Sequence, residues 1–240
     1  MEYEQGEWIM RGLSAADPRR LRKLEDLIAL VNRMGFLPLF CNSVPGFSVE
    51  ELTWPGDWWT EDAARDPWMW RVTASRSGQV VYGKFFDKKA GFLSLKWLPV
   101  FANWRREGYD FDARYDDQKA PLRQKKIMDL FETRDELMSF EVKHLAGFGP
   151  GGEKNFEGTL TALQMQTYLV IKDFRCRKNR WGEDYGWHLA VLAPPEKLWG
   201  YDTVTACYEE DPAESGKRIF QRMRELYPEA DERRIRAILR

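Results

Sequence analysis

The stretch Thr159–Ala193, TLTALQMQTYLVIKDFRCRKNRWGEDYGWHLAVLA, decides the fold. It opens with apolar residues at helical spacing, Leu160, Leu163 and Met165, and passes into the β-branched and aromatic run Tyr168-Leu-Val-Ile171. The chain then returns as Tyr185 to Leu192, so the two runs predict a hairpin. Between them Lys172 to Arg180 carries five cations against one acid, on a tip with no core to fill. A helix followed at once by a hairpin with a basic tip is the order of a recognition helix and wing. That winged-helix arrangement lays the helix in the major groove of duplex DNA and touches phosphate with the wing. A cationic tip is equally an ordinary solvated loop, and both readings stand on these residues.

Outward from that stretch, the preceding segment keeps winged-helix order. From Pro121 the pattern is helical, with Ile127, Leu130 and Phe131 on one face. Thr133 is placed to cap a second helix, with Glu136 three residues on, followed by Leu137, Phe140, Val142 and Leu145. Gly147 to Gly152, GFGPGG, reads as a loop. It follows a helix and lacks a Gly-Lys-Ser/Thr ending, so it is not a phosphate-binding loop. The third helix starts at Asn155 or Phe156, and residues 121–200 form the expected winged-helix domain. After it, 201–240 reads as a helical tail, Pro212 to Leu226 and Asp231 to Leu239, joined at Tyr227-Pro228.

Residues 1–110 read as an N-terminal winged-helix-like α+β region. A helix is predicted from Pro18 to Met34, capped by Asp17, with Leu21, Leu24, Leu27, Ile28 and Val31 on one face and Gly35 ending it. A Trp-rich stretch, TWPGDWWTEDAARDPWMWRV, follows, and it serves either as a loop clamped on the core or as a stacking platform. Trp70 to Ser75 and Gln79 to Phe86 predict a hairpin turning at Ser77-Gly78, and Pro99 to Arg106 a helix. The charged stretch Glu107 to Ala120 reads as a linker. The fold class expected is therefore α+β, with tandem winged-helix-like units, β-hairpins and a C-terminal helical tail.

Composition narrows the function classes. Hydrophobic residues make up 43% and charged residues 31% of the 240, which describes a folded globular chain. The formal net charge is -1, so any nucleic-acid contact must come from a local patch. Cys41, Cys176 and Cys207 are an odd set without metal-ligand spacing, and His144 and His188 have no Asp or Cys at ligand spacing. No metal and no cofactor is expected. An exposed Cys176 between two arginines would be reactive, or a plain surface thiol. His188 can face either side of its strand. No apolar run spans a bilayer and the N-terminus begins acidic, so neither anchor nor signal peptide is expected, and a cytoplasmic protein is the simplest expectation.

DPWMWRV at Asp66–Val72, YGKFF at Tyr82–Phe86 and SLKWLP at Ser94–Pro99, together with the helix-and-wing unit, resemble the AlkZ-related proteins. These are relatives of the winged-helix DNA glycosylases of the AlkZ type, which excise alkylated or crosslinked bases. The resemblance implies tandem winged helices, duplex DNA as partner and a link to DNA repair. Catalysis in those glycosylases uses a Gln-apolar-Gln or Gln-apolar-Asp motif after the first helices. The comparable stretch here is Phe36-Leu-Pro-Leu-Phe40, which supplies neither carboxamide nor carboxylate. A Gln-apolar-Gln does occur at Gln164-Met165-Gln166, in the recognition helix. Residues two apart do not share a helix face, so at most one amide meets a groove, where Gln reads adenine; the other reading makes both solvated polar positions near a helix end, and the motif is not equated with the family's catalytic one.

Three readings follow. In the first, the protein binds duplex DNA through Gln164 or Gln166 and the wing cations Lys172, Arg175, Arg177, Lys178 and Arg180. In the alternative it is a DNA glycosylase whose tryptophan loop packs on a lesion while a carboxylate such as Asp66 positions water. In the third, the winged helices serve contact with a protein partner.

Overall fold

The first predicted helix begins at Leu24 rather than Pro18. In the computed structural model, which describes residues 2–4 and 7–240 with side chains from Ile9 onward, β1 (Glu2–Glu4) and β2 (Glu7–Ile9) pair, and α1 spans Leu24–Met34. Asp17 does not cap it. Its carboxylate accepts instead from the Arg19 amide at 2.8 Å and the Arg19 Nη2 at 2.7 Å, which closes a local turn ahead of the helix. Leu27, Ile28, Leu30, Val31 and Met34 are buried. Gly35, at φ 105°, donates its N–H to the Val31 carbonyl and ends the helix, and a Cβ there would lie 2.5 Å from the Trp97 indole.

β3 (Phe36–Pro38) follows, entirely buried. Trp70 to Ser75 is not a strand: α2 spans Pro67–Ser77. Its β-branched and aromatic residues suit a strand, but the Asp66 carboxylate accepts from the Trp68 amide at 2.8 Å and Pro67 stands at the first turn, and these start signals outweigh side-chain preference. The hairpin lies one element later, between β4 (Val80–Phe86) and β5 (Lys89–Ser94). Asp87 and Lys88 both have positive φ at its tip, the backbone a tight two-residue hairpin turn requires. β3 pairs antiparallel with β5, Phe36 opposite Leu93. The rings of Phe36, Phe47 and Phe86 meet at centroid distances of 6.1 to 6.4 Å in the core beneath this sheet.

The chain divides into two compact units, residues 1–98 with 216–240, and residues 99–215. The second contains α3 (Leu98–Arg106), α4 (Phe111–Asp116), α5 (Leu122–Met128), β6 (Leu137–Met138), α6 (Ser139–Leu145), α7 (Phe156–Met165), β7 (Val170–Lys178), β8 (Asp184–Ala193), α8 (Pro195–Trp199) and α9 (Tyr201–Val204). α10 (Pro212–Leu226) and α11 (Glu232–Leu239) complete the chain. Thr133 does not start α6. That helix begins at Ser139, where Glu141 accepts the Met138 amide at 2.8 Å, and Glu136 is left for a different role. The stretch expected as a linker holds α4, whose Phe111 ring packs edge-on against Tyr168.

Both units are α+β, and each runs helix, short strand, helical turns, helix, hairpin. In each the short strand pairs with the returning strand of the hairpin: β3 with β5, and β6 with β8, Leu137 opposite Leu192. Among the described residues no helix is long and apolar enough to cross a membrane.

Candidate nucleic-acid interface

The β7–β8 hairpin changes character along its length. Val170, Ile171, Asp173 and Phe174 on one strand, and Val191 to Ala193 on the other, are buried. From Arg175 to His188 the hairpin is mostly exposed. Two irregularities in the pairing divide it.

The first lies between Ile171 and Asp173, where Lys172 is an extra residue against β8. Its ammonium turns to the Glu136 carboxylate, which also accepts from Arg175 Nη1 at 2.6 Å. Asp173 takes the Arg175 Nε at 2.8 Å. The Lys172 hydrogen bond, with help from Arg175, holds the Glu136 carboxyl below the usual glutamate range. Two of the predicted phosphate contacts, Lys172 and Arg175, are thus ion-paired within the unit.

The second irregularity sets Gly186-Trp187-His188 opposite Cys176 alone: Arg175 faces Leu189 and Arg177 faces Tyr185. Gly186 sits at φ 76°, and Trp187 is 90% exposed. Beyond it Asn179 organises the tip, its side-chain Oδ1 accepting the amides of Trp181 and Glu183 at 2.9 and 3.0 Å. Arg180 stacks 4.0 Å above the Trp181 ring and Arg177 lies 4.4 Å from the Phe140 centroid. Lys178 pairs with Asp184 at 3.0 Å, both side chains being about two-thirds exposed. Arg177, Lys178 and Arg180 therefore stand on the exposed half of the hairpin in company with Trp181, Tyr185 and Trp187. Charge counting along the sequence finds the cations of this tip and misses its aromatics. A signal for them exists: two tryptophans and a tyrosine stand among Gly182, Gly186 and acids, where no periodic face is available to bury them.

The helix half of the predicted interface is different. Gln164 is 2% exposed, so its amide faces the core and not a groove, a correction to its expected role. Its position on α7 follows Leu160 and Leu163 onto the buried side, because residues three and four apart share a face. Gln166 closes the helix, half-buried, with its Oε1 in a buried setting. Of the ten residues of α7 only Glu157 is charged, so the positive charge belongs to the hairpin.

The turn between α7 and β7 is held by Arg106. Its guanidinium is 1% exposed and donates to Glu196 at 2.5 Å, to the Tyr208 hydroxyl at 3.0 Å, and to the Thr167 carbonyl and hydroxyl at 2.7 and 3.1 Å. Thr167 has φ 64°, a left-handed backbone that costs energy in a β-branched residue. Arg106 pins that residue from two sides and so fixes where the hairpin leaves the helix.

In the first unit, Asp66 accepts the amides of Trp59 and Trp68 at 3.1 and 2.8 Å and is buried, and burial raises its carboxyl above the usual aspartate range. It anchors α2 and the tryptophan loop, in which Trp58, Trp59 and Trp68 cluster with Phe40. Phe36, Leu37 and Leu39 are wholly buried. Cys41, Cys176 and Cys207 are free thiols, and among the described residues no group of three His, Cys, Asp or Glu side chains is arranged to hold a metal ion.

A family model described as AlkZ related matches residues 21–240. No curated protein and no solved structure matches the chain. With nearly the whole chain covered by that model, the protein belongs to the AlkZ-related family.

Proposed function

We propose that this protein binds duplex DNA as a tandem winged-helix protein in a DNA-repair setting, with the exposed half of the β7–β8 hairpin as its principal contact. The observation that carries the reading is the concentration of Arg177, Lys178 and Arg180 on one exposed, organised hairpin end of a chain whose net charge is -1. Local charge of that kind is what a phosphate contact needs when the whole chain supplies no attractive field. The Lys178–Asp184 pair is exposed, worth ~0.2–1 kcal/mol, and yields readily to phosphate. Repetition of the helix, short strand, helical turns, helix, hairpin order in both units supports the winged-helix reading, and membership of the AlkZ-related family supports the repair setting.

The test is binding of a labelled duplex by fluorescence anisotropy, comparing the native chain with Arg177→Ala, Lys178→Ala and Arg180→Ala combined. These side chains are exposed, so melting should hold while affinity falls by at least about tenfold, or ~1.4 kcal/mol. Unchanged affinity with unchanged melting overturns the assignment.

A further inference from the structure

We propose that Trp187 is a stacking wedge, and that the hairpin prefers DNA in which a base is already unpaired over an intact duplex. This inference rests on the DNA-binding reading above.

An indole 90% exposed forgoes the burial that normally accompanies a tryptophan, and here the backbone is built to keep it out. Three residues, Gly186-Trp187-His188, occupy the place opposite one, Cys176, and a bulge of this kind re-aims a side chain away from the sheet. Gly186 makes the bulge possible. Its φ of 76° is one that side-chain-bearing residues rarely adopt, although a Cβ there would meet nothing within 4 Å, so the glycine serves conformation and not space. The Cys176 thiol, 3.6 Å from the Gly186 carbonyl, ties the bulge across the strands.

What surrounds the indole identifies the partner. Trp181 and Tyr185 are also exposed, at 68% and 49%, on the same hairpin end as Arg177, Lys178 and Arg180. Flat rings interleaved with cations match alternating bases and phosphates, because stacking takes any base while the cations follow the backbone. In an intact duplex each base already stacks on its neighbours, and inserting a ring costs the separation of a step. At an unpaired base that cost is already met. The wedge therefore gains most where pairing has failed, as it does at damaged or extra bases.

The experiment uses the full chain and two labelled duplexes, identical except that one carries a single extra adenine. The native protein is expected to bind the bulged duplex about tenfold more tightly, near the low end of what one stacked base contributes. Trp187→Ala should lose the preference, its affinity for the bulged duplex falling to that for the intact one, while Trp187→Phe should keep part of it. Equal binding of both duplexes by the native chain, or a preference that survives Trp187→Ala, overturns the wedge and leaves the DNA reading standing. Absence of binding to either duplex overturns both. A third arm adds vesicles containing phosphatidylserine: Trp187-dependent binding there, with no duplex preference, would also overturn the wedge.

Discussion

Replacing Glu136 by Gln should make the protein slightly less stable and a better DNA binder. Glu136 is the shared acceptor of Lys172 and Arg175, both near the base of the hairpin, and under the proposed DNA-binding role it competes with phosphate for them. The pairs are partly exposed, so each contributes ~0.2–1 kcal/mol, and losing both costs roughly 0.4–2 kcal/mol of stability. The amide keeps the shape and one acceptor oxygen but not the charge. Released from it, each cation that reaches a phosphate steepens the dependence of log K on log salt by about 0.9, so two add at most about 1.8. Anisotropy titrations of a labelled duplex between about 50 and 200 mM salt measure that slope. An unchanged slope with equal or weaker binding would refute the competition between Glu136 and phosphate.

The same carboxylate predicts a pH dependence. Hydrogen bonding from Lys172 depresses the Glu136 pKa in the folded state, so its contribution is fully present above the unfolded value of about 4.3. It is lost as pH falls through that value into the depressed folded range, and thermal melts at acid pH should show Glu136→Gln converging on the native chain.

Other substitutions separate structural roles from contact roles. Asp66→Ala should cost ~1–2 kcal/mol through loss of the α2 cap, whereas Asp66→Asn, which retains an acceptor and removes a buried charge, should be near neutral in urea melts at pH 7. Gln164→Ala should lower stability by roughly 1–3 kcal/mol and leave duplex affinity untouched, because its amide is buried; a DNA defect without a stability defect would contradict its placement. Arg106→Met should destabilise by roughly 3 kcal/mol or more by stranding Glu196 and releasing Thr167, as read by equilibrium unfolding.

How much of the fold and of the candidate site is legible in the sequence depends on how local each signal is. The helix and hairpin of 159–193 are legible because periodicity switches from helical to alternating within one short stretch. The 67–77 helix is not, because Trp70, Val72 and Thr73 favour strands while the deciding features are the Asp66 cap and Pro67 at its first turn. Gly78, expected at a hairpin turn, instead ends that helix in a left-handed conformation. Within the candidate site the cations and their sign stand in the sequence. That Glu136, 36 residues before Lys172, neutralises two of them does not, since the pairing exists only once β6 and β7 lie on either side of β8. Gln164 differs from expectation for a related reason: the two turns of helix around it contain apolar residues on more than one side, so pattern alone does not decide its buried face. The bulge at Trp187 depends on register, which a hairpin with a long polar tip leaves open.

The central claim, that a local cationic hairpin gives a nearly neutral chain its affinity for DNA, is tested most directly by the salt dependence of duplex binding by the native protein. Contacts from Arg177, Lys178 and Arg180 predict that log K falls linearly with log salt with a slope of about -2.7, and that removing the three side chains flattens it toward zero. A flat salt dependence in the native chain, or an equally steep one after their removal, would contradict it.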